Sequence, residues 1–486
     1  MLFGVLPIRY VFAVLGSILF SILYGYKSNM SVAIVAMVNH TAIGHDSRRS
    51  EDGGPPLEGV CDFEASAEAL KDGPFVWSQT TRGYILGSFF YGYLVSQLPA
   101  GRLAEDVSAK WVLLASCLLN VIGCLLIPVA SYMHYSGLLA MRIVQGIGGG
   151  LSFPAMHVMI AKWAPPHERG FFSAIVYAGM SLGTVVSMVS TGSIVAFLDW
   201  ESVFYIHGSL PLVWCVAWVW LMDDSPEDSR FVSDEERLHI AQSIHEAGVP
   251  QHLPVPWLSI FTSLPFLAIL VSHFCNNFGW YMLLIELPTY LSTILKFPIA
   301  SNALLSSMPF LVMWFFSIAL SKCLDTLEER DYISTTTIRK LSTLIASLVP
   351  CACLVGVSFV GCNRSVAVAL MTVGTMALGG MFSGFLSNHI DIAPHFAGTL
   401  IGITNSVATI PGFLVPFLVG QLTEGNETIF QWRIIFLITA ALFLLEAVVF
   451  TLFGTGEVQP WNTPEQYRRQ DSQGSQEVVT NRWTRD

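Results

Sequence analysis

The sequence predicts an all-α membrane protein with twelve transmembrane helices in two six-helix bundles and with both termini in the cytosol. Only 12% of its 486 residues are charged, whereas a soluble domain has about 25%. Twelve apolar stretches approach or exceed the roughly 20 residues that cross a bilayer. They are residues 11–38, 82–101, 110–131, 137–160, 171–197, 204–222, 264–292, 301–322, 341–360, 366–388, 400–422 and 433–454.

Basic residues and glycosylation sequons set the predicted orientation. With cytosolic termini, seven Lys or Arg residues fall in the inside loops and three fall in or beside the short outside loops, as the positive-inside rule requires. The sequons that begin at Asn39, Asn363 and Asn426 then all lie outside, in surface loops that can be glycosylated. The first apolar stretch lacks a small-residue cleavage site, so we expect a retained helix rather than a signal peptide.

Polar stretches divide the chain into two halves. Residues 1–222 form the first predicted bundle, with an outside loop at 40–80, and residues 261–456 form the second. Residues 223–260 are a cytosolic connector in which SDEERLHIAQSIHEAG predicts a short surface helix, and residues 457–486 are a polar cytosolic tail. Cys61 and Cys362 share the predicted outside face, where a disulfide and two free thiols both fit the sequence.

The two halves resemble each other in sequence. AKWAPPHERGFFSAIVYAGMSLG in the first half and DIAPHFAGTLIGITNSVATIPG in the second share an Ala-Pro, a His and a following Gly, about 230 positions apart. Two parallel six-helix repeats are typical of the major facilitator fold, which binds its substrate near mid-bilayer between them. The glycines of GIGGG lie inside a predicted helix, so we interpret them as close helix packing, and no enzyme motif is present.

Two cations lie deep within predicted spans: Lys27 in the first and Arg142 in the fourth. Each costs roughly 2.5–3.5 kcal/mol at a helix centre, so snorkelling, a hidden ion pair or a water-filled cavity has to account for it. We expect both to face a central cavity and to bind an anion. Arg142, Gln145 and Gly149 share one helix face, where Gln145 can donate to the anion and Gly149 leaves room.

Further polar residues within the spans are weaker candidates. Asn29, Tyr91 and Asn276 are candidate substrate contacts, although a lone intramembrane Asn or His is more often a contact between helices. Glu286 and His389 are candidates for coupling transport to a cation. Glu286 precedes Pro288 near the outer end of its span, so an interfacial position is the alternative.

Several motifs resemble the anion:cation symporters of the major facilitator superfamily. They are GSFFYGYLVSQLPAGRLAE, FPAMHVMIAKWAPPHERG, STTTIRK, SGFLSNHIDIAPHFAGTLIGITNSVATIPG and GEVQPWN. The resemblance runs in register from the first span to residue 461. That family contains sialin, the sodium–phosphate cotransporters and the vesicular glutamate transporters, and the chain looks most like sialin and the insect phosphate cotransporters.

The resemblance implies an anion carried by alternating access and driven by protons, sodium or the membrane potential. The family's substrate-binding arginine of the first span falls on Lys27, and that of the fourth span is Arg142. Its coupling glutamates fall on Gln145 and Gly149, and its seventh-span arginine falls on Asn276. These departures argue against vesicular glutamate loading and leave the proton relay incomplete.

We therefore expect a secondary, cation-coupled transporter of inorganic phosphate or of organic anions such as sialate or other carboxylates. An uncoupled anion uniporter or chloride-conducting channel is the alternative, and a non-transporting receptor is a third possibility. The expected partners are the anion and the lipid bilayer, with no nucleic acid, no cofactor beyond co-transported Na+ or H+, and a monomeric chain. The plasma membrane is favoured because no dileucine sorting signal is present, with lysosomal and vesicular membranes as alternatives.

Overall fold

The structure is a computed structural model that describes residues 7–39, 42, 61, 72–165, 168–246, 255–425 and 427–462. Within these residues the backbone is helical and contains no strand, apart from an isolated bridge between Val38 and Phe75. Asn426 lies outside the described residues, as do most of the predicted outside loop 40–80 and most of the tail 457–486.

Each predicted span of the first half forms helix. The helices are α1 Ile8–Met37, α2 Gln79–Leu103, α3 Ala109–Met133, α4 Tyr135–Trp163, α5 Arg169–Phe197, α6 Trp200–Ser209 and α7 Pro211–Leu221. The predicted span 204–222 is divided between α6 and α7 because Pro211 begins a new helix and lacks the amide that would continue the old one.

The connector and the second half are also helical. The helices are α8 Asp234–Glu246, α9 Trp257–Phe261, α10 Leu264–Tyr281, α11 Leu287–Thr293, α12 Ile299–Glu329, α13 Thr335–Val360, α14 Arg364–Leu378, α15 Phe385–Ile392, α16 Ala397–Ala408, α17 Pro411–Thr423 and α18 Ile429–Phe453. A π-helical turn, Met282–Glu286, joins α10 to α11. The predicted spans 366–388 and 400–422 each contain a break between two helices, the second of them at Pro411.

The all-helical membrane fold is confirmed. In the described part of the chain, eleven helices are long and apolar enough to cross a membrane. The predicted span 82–101 forms α2, which is not one of the eleven because its glycine, glutamine, serine and arginine residues lower its mean hydropathy. The count of twelve spans and the cytosolic position of the termini stay predictions.

The connector helix docks on the start of the first half. The Ser233 hydroxyl caps α8 by accepting a hydrogen bond of 3.2 Å from the Glu236 amide, which fits the surface helix predicted there. The Glu236 carboxylate in turn accepts hydrogen bonds from the Ile8 amide at 3.0 Å and the Arg9 amide at 3.1 Å. A carboxylate at a helix N-terminus is favourable, so α8 and α1 stabilise each other.

A disulfide joins Cys61 to Cys362 with the two Cα atoms 5.5 Å apart, which decides between the two alternatives left by the sequence. We call the end of the molecule that contains it the disulfide face. Asn363 lies at this face, where it is exposed and its side chain caps α14 by accepting a hydrogen bond from the Val366 amide. Disulfides persist in oxidising compartments, which agrees with the predicted outside face.

Asp224 ties helix ends together at the opposite face. Its carboxylate accepts hydrogen bonds from the Ser108 hydroxyl at 2.8 Å, the Lys110 amide at 3.1 Å and the Lys162 ammonium at 2.5 Å. Partial burial alone would raise the pKa of Asp224, but these hydrogen bonds outweigh it and lower that pKa below its usual value. The ends of α3 and α4 are therefore fixed to the start of the connector.

Glycines let α2 pack closely against both halves. A Cβ atom at Gly83 would lie 2.3 Å from the carbonyl oxygen of Pro416 in α17, so the halves touch backbone to backbone near the disulfide face. Farther along α2 the close contacts are with α4 in the same half. A Cβ atom at Gly146 would lie 1.9 Å from the Phe89 carbonyl oxygen, and one at Gly150 would lie 2.4 Å from the Tyr93 carbonyl oxygen. The GIGGG glycines therefore serve helix packing.

We expect Gly146→Ala to destabilise the protein because its methyl group has no space between α2 and α4. Overpacking of this kind costs about 1–3 kcal/mol of unfolding free energy, which a lower Tm in detergent would reveal. Gly398→Ala is the matched control, since its Cβ atom meets nothing within 4 Å and alanine favours a helix by about 1 kcal/mol. Equal Tm values for the two variants would contradict the predicted α2–α4 contact.

Candidate functional site

Lys27 lies in α1 among aromatic rings. Its ammonium is 4.3 Å from the ring centre of Tyr24, 4.3 Å from that of Tyr93 and 5.8 Å from that of Phe89. Aromatic faces attract cations by roughly 0.5–2 kcal/mol each. The residue is only 7% exposed, so these rings, rather than water, form its surroundings.

Arg142 of α4 lies against the same ring and is 1% exposed. Its guanidinium carbon is 5.1 Å from the ring centre of Phe89. Its Nη1 donates hydrogen bonds to the Tyr26 carbonyl oxygen at 3.0 Å and to the Gln145 side-chain oxygen at 2.9 Å. Arg142 therefore reaches the backbone of α1 one residue before Lys27, and the two cations share one aromatic neighbour.

The sequence-based expectation that both cations face a water-filled cavity is wrong for this conformation. Aromatic rings from α1 and α2 cover them, and the space beside Gly149 is taken up by the same cover. A Cβ atom at Gly149 would lie 2.8 Å from Cζ of Phe89 and 3.3 Å from the Tyr93 ring. That glycine admits a ring rather than leaving room for a substrate.

The two cations have no acidic partner. Among the residues that the structure describes, no carboxylate lies within ion-pair distance of Lys27 or Arg142. The Arg142 Nε atom is also buried without a hydrogen-bond partner. Burial of an uncompensated charge costs several kcal/mol, so a bound anion would stabilise this pair of positive charges.

The neighbouring amides differ in their contacts. Gln145 accepts from Arg142, and its nitrogen donates to the Asn120 carbonyl oxygen at 3.4 Å. Asn29 is 1% exposed, and both polar atoms of its side chain lack a partner. Buried amides without partners are rare, which keeps Asn29 a candidate contact.

Tyr91 is 42% exposed and packs on Phe413 of α17, with ring centres 4.9 Å apart, so it lies where the halves meet.

Asn276 contacts a carboxylate that the sequence reasoning missed. Its amide nitrogen donates to both oxygens of Glu446 in α18, at 3.1 and 3.2 Å. Both residues are fully buried, and in the described part of the chain no hydrogen bond joins Asn276 to Lys27 or Arg142. The acid within FLITAALFLLEAVVF was the available signal, since an ionisable residue inside a span is expected to have a partner.

His389 belongs to a buried network with a second histidine. Its Nε2 lies 2.8 Å from the Thr404 hydroxyl, and its Nδ1 lies 2.9 Å from the Leu386 carbonyl oxygen. The same hydroxyl is 3.1 Å from Nδ1 of His273, a residue absent from the sequence-based candidates. The network joins α10, α15 and α16, so it anchors three helix segments of the second half.

Glu286 lies in the π-helical turn and is 2% exposed. Neighbouring helices therefore cover its carboxyl group, and the depth at which it lies in the membrane stays a prediction. Its Oε1 atom has no hydrogen-bond partner. π-Helical turns occur frequently at functional sites, so Glu286 stays a candidate for coupling.

Comparison with known proteins indicates the class of molecule. A family model described as the Major Facilitator Superfamily matches residues 15–416. Human sialin is 39% identical over 453 residues, which cover 93% of this chain and 90% of that protein. The Drosophila melanogaster protein named "Putative inorganic phosphate cotransporter" is 39% identical over 91% of this chain and 84% of its own. Human vesicular glutamate transporter 2 is 35% identical over 95% of this chain and 76% of its own.

Solved structures share the fold. A D-xylose–proton symporter superimposes with a TM-score of 0.67 at 14% identity, and the match covers 92% of this chain and 100% of that chain. A bacterial homolog of the human lysosomal transporter Spinster, in an inward-facing and occupied conformation, gives a TM-score of 0.66 at 12% identity over 92% of this chain and 97% of that chain. At these identities the likeness concerns the fold alone.

We expect Lys27→Met to leave Tm in detergent unchanged or higher when no anion is present. Methionine fills a similar volume and removes an uncompensated buried charge, whose burial costs several kcal/mol. Lys110→Met is the control, because the Lys110 ammonium is paired with Asp223 at 3.1 Å and its side chain is mostly buried, so we expect removal of this partner to lower Tm. A large drop in Tm for Lys27→Met would mean that the ammonium is stabilised by a partner.

Proposed function

The chain belongs to the Major Facilitator Superfamily of membrane transporters, and we propose that it carries small anions by alternating access. The substrate class is inorganic phosphate or an organic anion such as sialate or another carboxylate. One observation carries the proposal: Lys27 and Arg142 are buried beside one ring, and among the described residues no carboxylate pairs with them.

The hydrogen bonds of Arg142 leave donors available for an anion. Nη1 holds the side chain to α1 and to Gln145, while Nε has no partner. A guanidinium matches the two oxygens of a carboxylate or phosphate, whereas an ammonium acts as a point charge. We infer that Arg142 orients the anion and that Lys27 adds attraction from the α1 side.

The aromatic cover must move before an anion can bind. Tyr93 lies over Lys27, and its hydroxyl group interacts with Asn405 of α16 in the other half. Movement of residues 261–456 relative to residues 1–222 would therefore shift the ring and uncover the cations. This contact supplies a physical link between the rocking of the halves and access to the site.

The relatives support an anionic substrate, since phosphate and glutamate in their names are anions. We propose that transport is coupled to a cation, with Glu286 and His389 as the candidate groups. We also propose a monomeric plasma-membrane protein that is glycosylated at Asn39 and Asn363, and at Asn426. The vesicular location in one relative's name keeps an intracellular membrane as the alternative.

Uptake of labelled phosphate and sialate into proteoliposomes tests the assigned site. We expect Arg142→Ala and Lys27→Ala each to weaken the apparent affinity for the transported anion by about 10- to 100-fold, because a hydrogen bond to a charged group contributes about 1.5–3 kcal/mol.

Arg433→Ala is the matched control. Arg433 also lies beside a phenylalanine ring and donates to a backbone carbonyl, that of Ser358 at 2.8 Å, but it does so near the disulfide face. We expect its uptake kinetics to stay close to those of the wild type. Unchanged uptake by both Arg142→Ala and Lys27→Ala would exclude the assigned site.

An uncoupled anion uniporter is the second candidate, and the contacts of Gln145 favour it. This amide occupies the position beside Arg142 where a proton-coupling carboxylate would stand, and it bonds Arg142 and the Asn120 carbonyl oxygen. Anion current that persists without sodium or proton gradients, and that follows the membrane potential, would support uniport. Uptake that stops when both gradients are removed would support coupling.

A further inference from the structure

A small polar cavity lies between the two halves just beneath the disulfide face. Its polar lining is Gln79 and Arg82 from α2, Glu286 from the π-helical turn, and Thr289, Ser292 and Thr293 from α11. The other lining residues, from α1, α2 and α17, are apolar or glycine. The cavity is distinct from the surroundings of Lys27 and Arg142, which contribute no residue to it.

The mouth of the cavity is closed by contacts between the halves. Arg82 forms an ion pair with Glu427 at 3.1 Å, and the side-chain amide of Gln79 donates to the same carboxylate. The Thr80 amide donates to Glu424 at 2.5 Å. Arg82 is 6% exposed, so Glu427 closes the route from the disulfide face and pairs with the only cation that lines the described cavity.

Charged groups of both signs surround the cavity. Arg82 interacts electrostatically with Glu427, Glu424 and Glu286, and Lys296 interacts with Glu427. The deepest carboxylate is Glu286, which is 2% exposed.

Two buried oxygen atoms in the cavity wall have no hydrogen-bond partner and could therefore bind a ligand. Oε1 of Glu286 and the hydroxyl oxygen of Ser292, which is 1% exposed, are buried without hydrogen-bond partners. Thr289 interacts with the same carboxyl group. Buried polar atoms are normally paired with protein, water or an ion, and an unpaired buried carboxylate is costly.

We propose that this cavity is a binding site for a monovalent cation that neutralises Glu286. The cation is either a proton on the carboxyl group or a sodium ion held by Glu286 Oε1 and the Ser292 hydroxyl. The proposal deepens the proposed function, because it rests on cation-coupled anion transport and names the group that senses the cation.

The position of the site links the cation to the closing of the disulfide face. Both halves line the cavity, so separating α2 from α17 would open it and expose Glu286 on that side. Closing then buries the carboxyl group, at a smaller cost when it has been neutralised. A cation on the disulfide side therefore favours closure of that face, and with it the change to the conformation that opens the loaded transporter on the opposite side.

Binding is measured on the purified full-length chain without any anion. We expect sodium at fixed pH, or acid in the absence of sodium, to raise Tm of the wild type, since a ligand of the native state stabilises it. Glu286→Gln removes the charge and keeps the shape, so it should lose that response. Glu446→Gln is the matched control, a buried carboxyl group in the same half whose partner is Asn276; it should keep the response.

Ser292→Ala distinguishes the two cations. We expect it to raise the half-saturating sodium concentration by about tenfold, the scale of one lost hydrogen bond, and to leave the response to acid unchanged. If Glu286→Gln does not fold, Glu286→Asp should weaken whichever response the wild type shows, because its carboxyl group is withdrawn by one methylene. A wild type without either response, or variants at Glu286 that respond as the wild type does, would overturn the proposal.

Transport separates this inference from the proposed function. Phosphate or sialate uptake by the wild type should increase with sodium or acid on the disulfide side, by up to about tenfold per pH unit if the cation is a proton. Uptake by Glu286→Gln should not depend on either cation. Uptake that responds equally in both proteins would refute the cation site while anion transport stands. A Glu286-dependent change in Tm without any anion uptake would refute the transport proposal while the cation site stands.

Discussion

The uncompensated positive charge within the first half is the constraint on which the rest of the molecule depends. Lys27 and Arg142 both lie close to the Phe89 ring, and within the described residues neither has an acidic partner. Aromatic rings, the Tyr26 carbonyl oxygen and the Gln145 amide shield the charges without neutralising them. An anion that binds there would lose its hydration shell and gain the attraction of two positive charges. Its binding would also offset the free-energy cost of burying those charges without a partner.

That arrangement depends on how closely α2 and α4 approach. Gly146 and Gly150 let the α4 backbone approach the carbonyl oxygens of Phe89 and Tyr93. Because α2 and α4 are this close, the rings of Phe89 and Tyr93 lie beside the cations. A wider separation of the helices would withdraw the rings and admit water. Tyr93 also interacts with Asn405 across the interface, so the same ring responds to the position of the second half. Packing and access to the charged site therefore share the same residues.

Composition and periodicity were enough to predict the helical membrane fold, since long apolar stretches have few alternatives in a bilayer. Lys27 and Arg142 were also visible, because a charge inside an apolar stretch demands an explanation. Their aromatic cover was not, because it arises from contacts between helices distant in sequence. Glu446 is not among the sequence-based candidates, although it stands in an apolar stretch. Its pairing with Asn276 over 170 positions could not be read from either residue alone.

The disulfide turns two covalently consecutive halves into a closed covalent ring. The chain connects them through residues 223–260 on one face, and Cys61–Cys362 connects them again, 301 positions apart, on the other. A protease that cuts the connector would therefore leave the halves linked until a reductant is added. The same ring also limits how far the halves can separate, because the peptide connects them at one face and the Cys61–Cys362 disulfide connects them at the other.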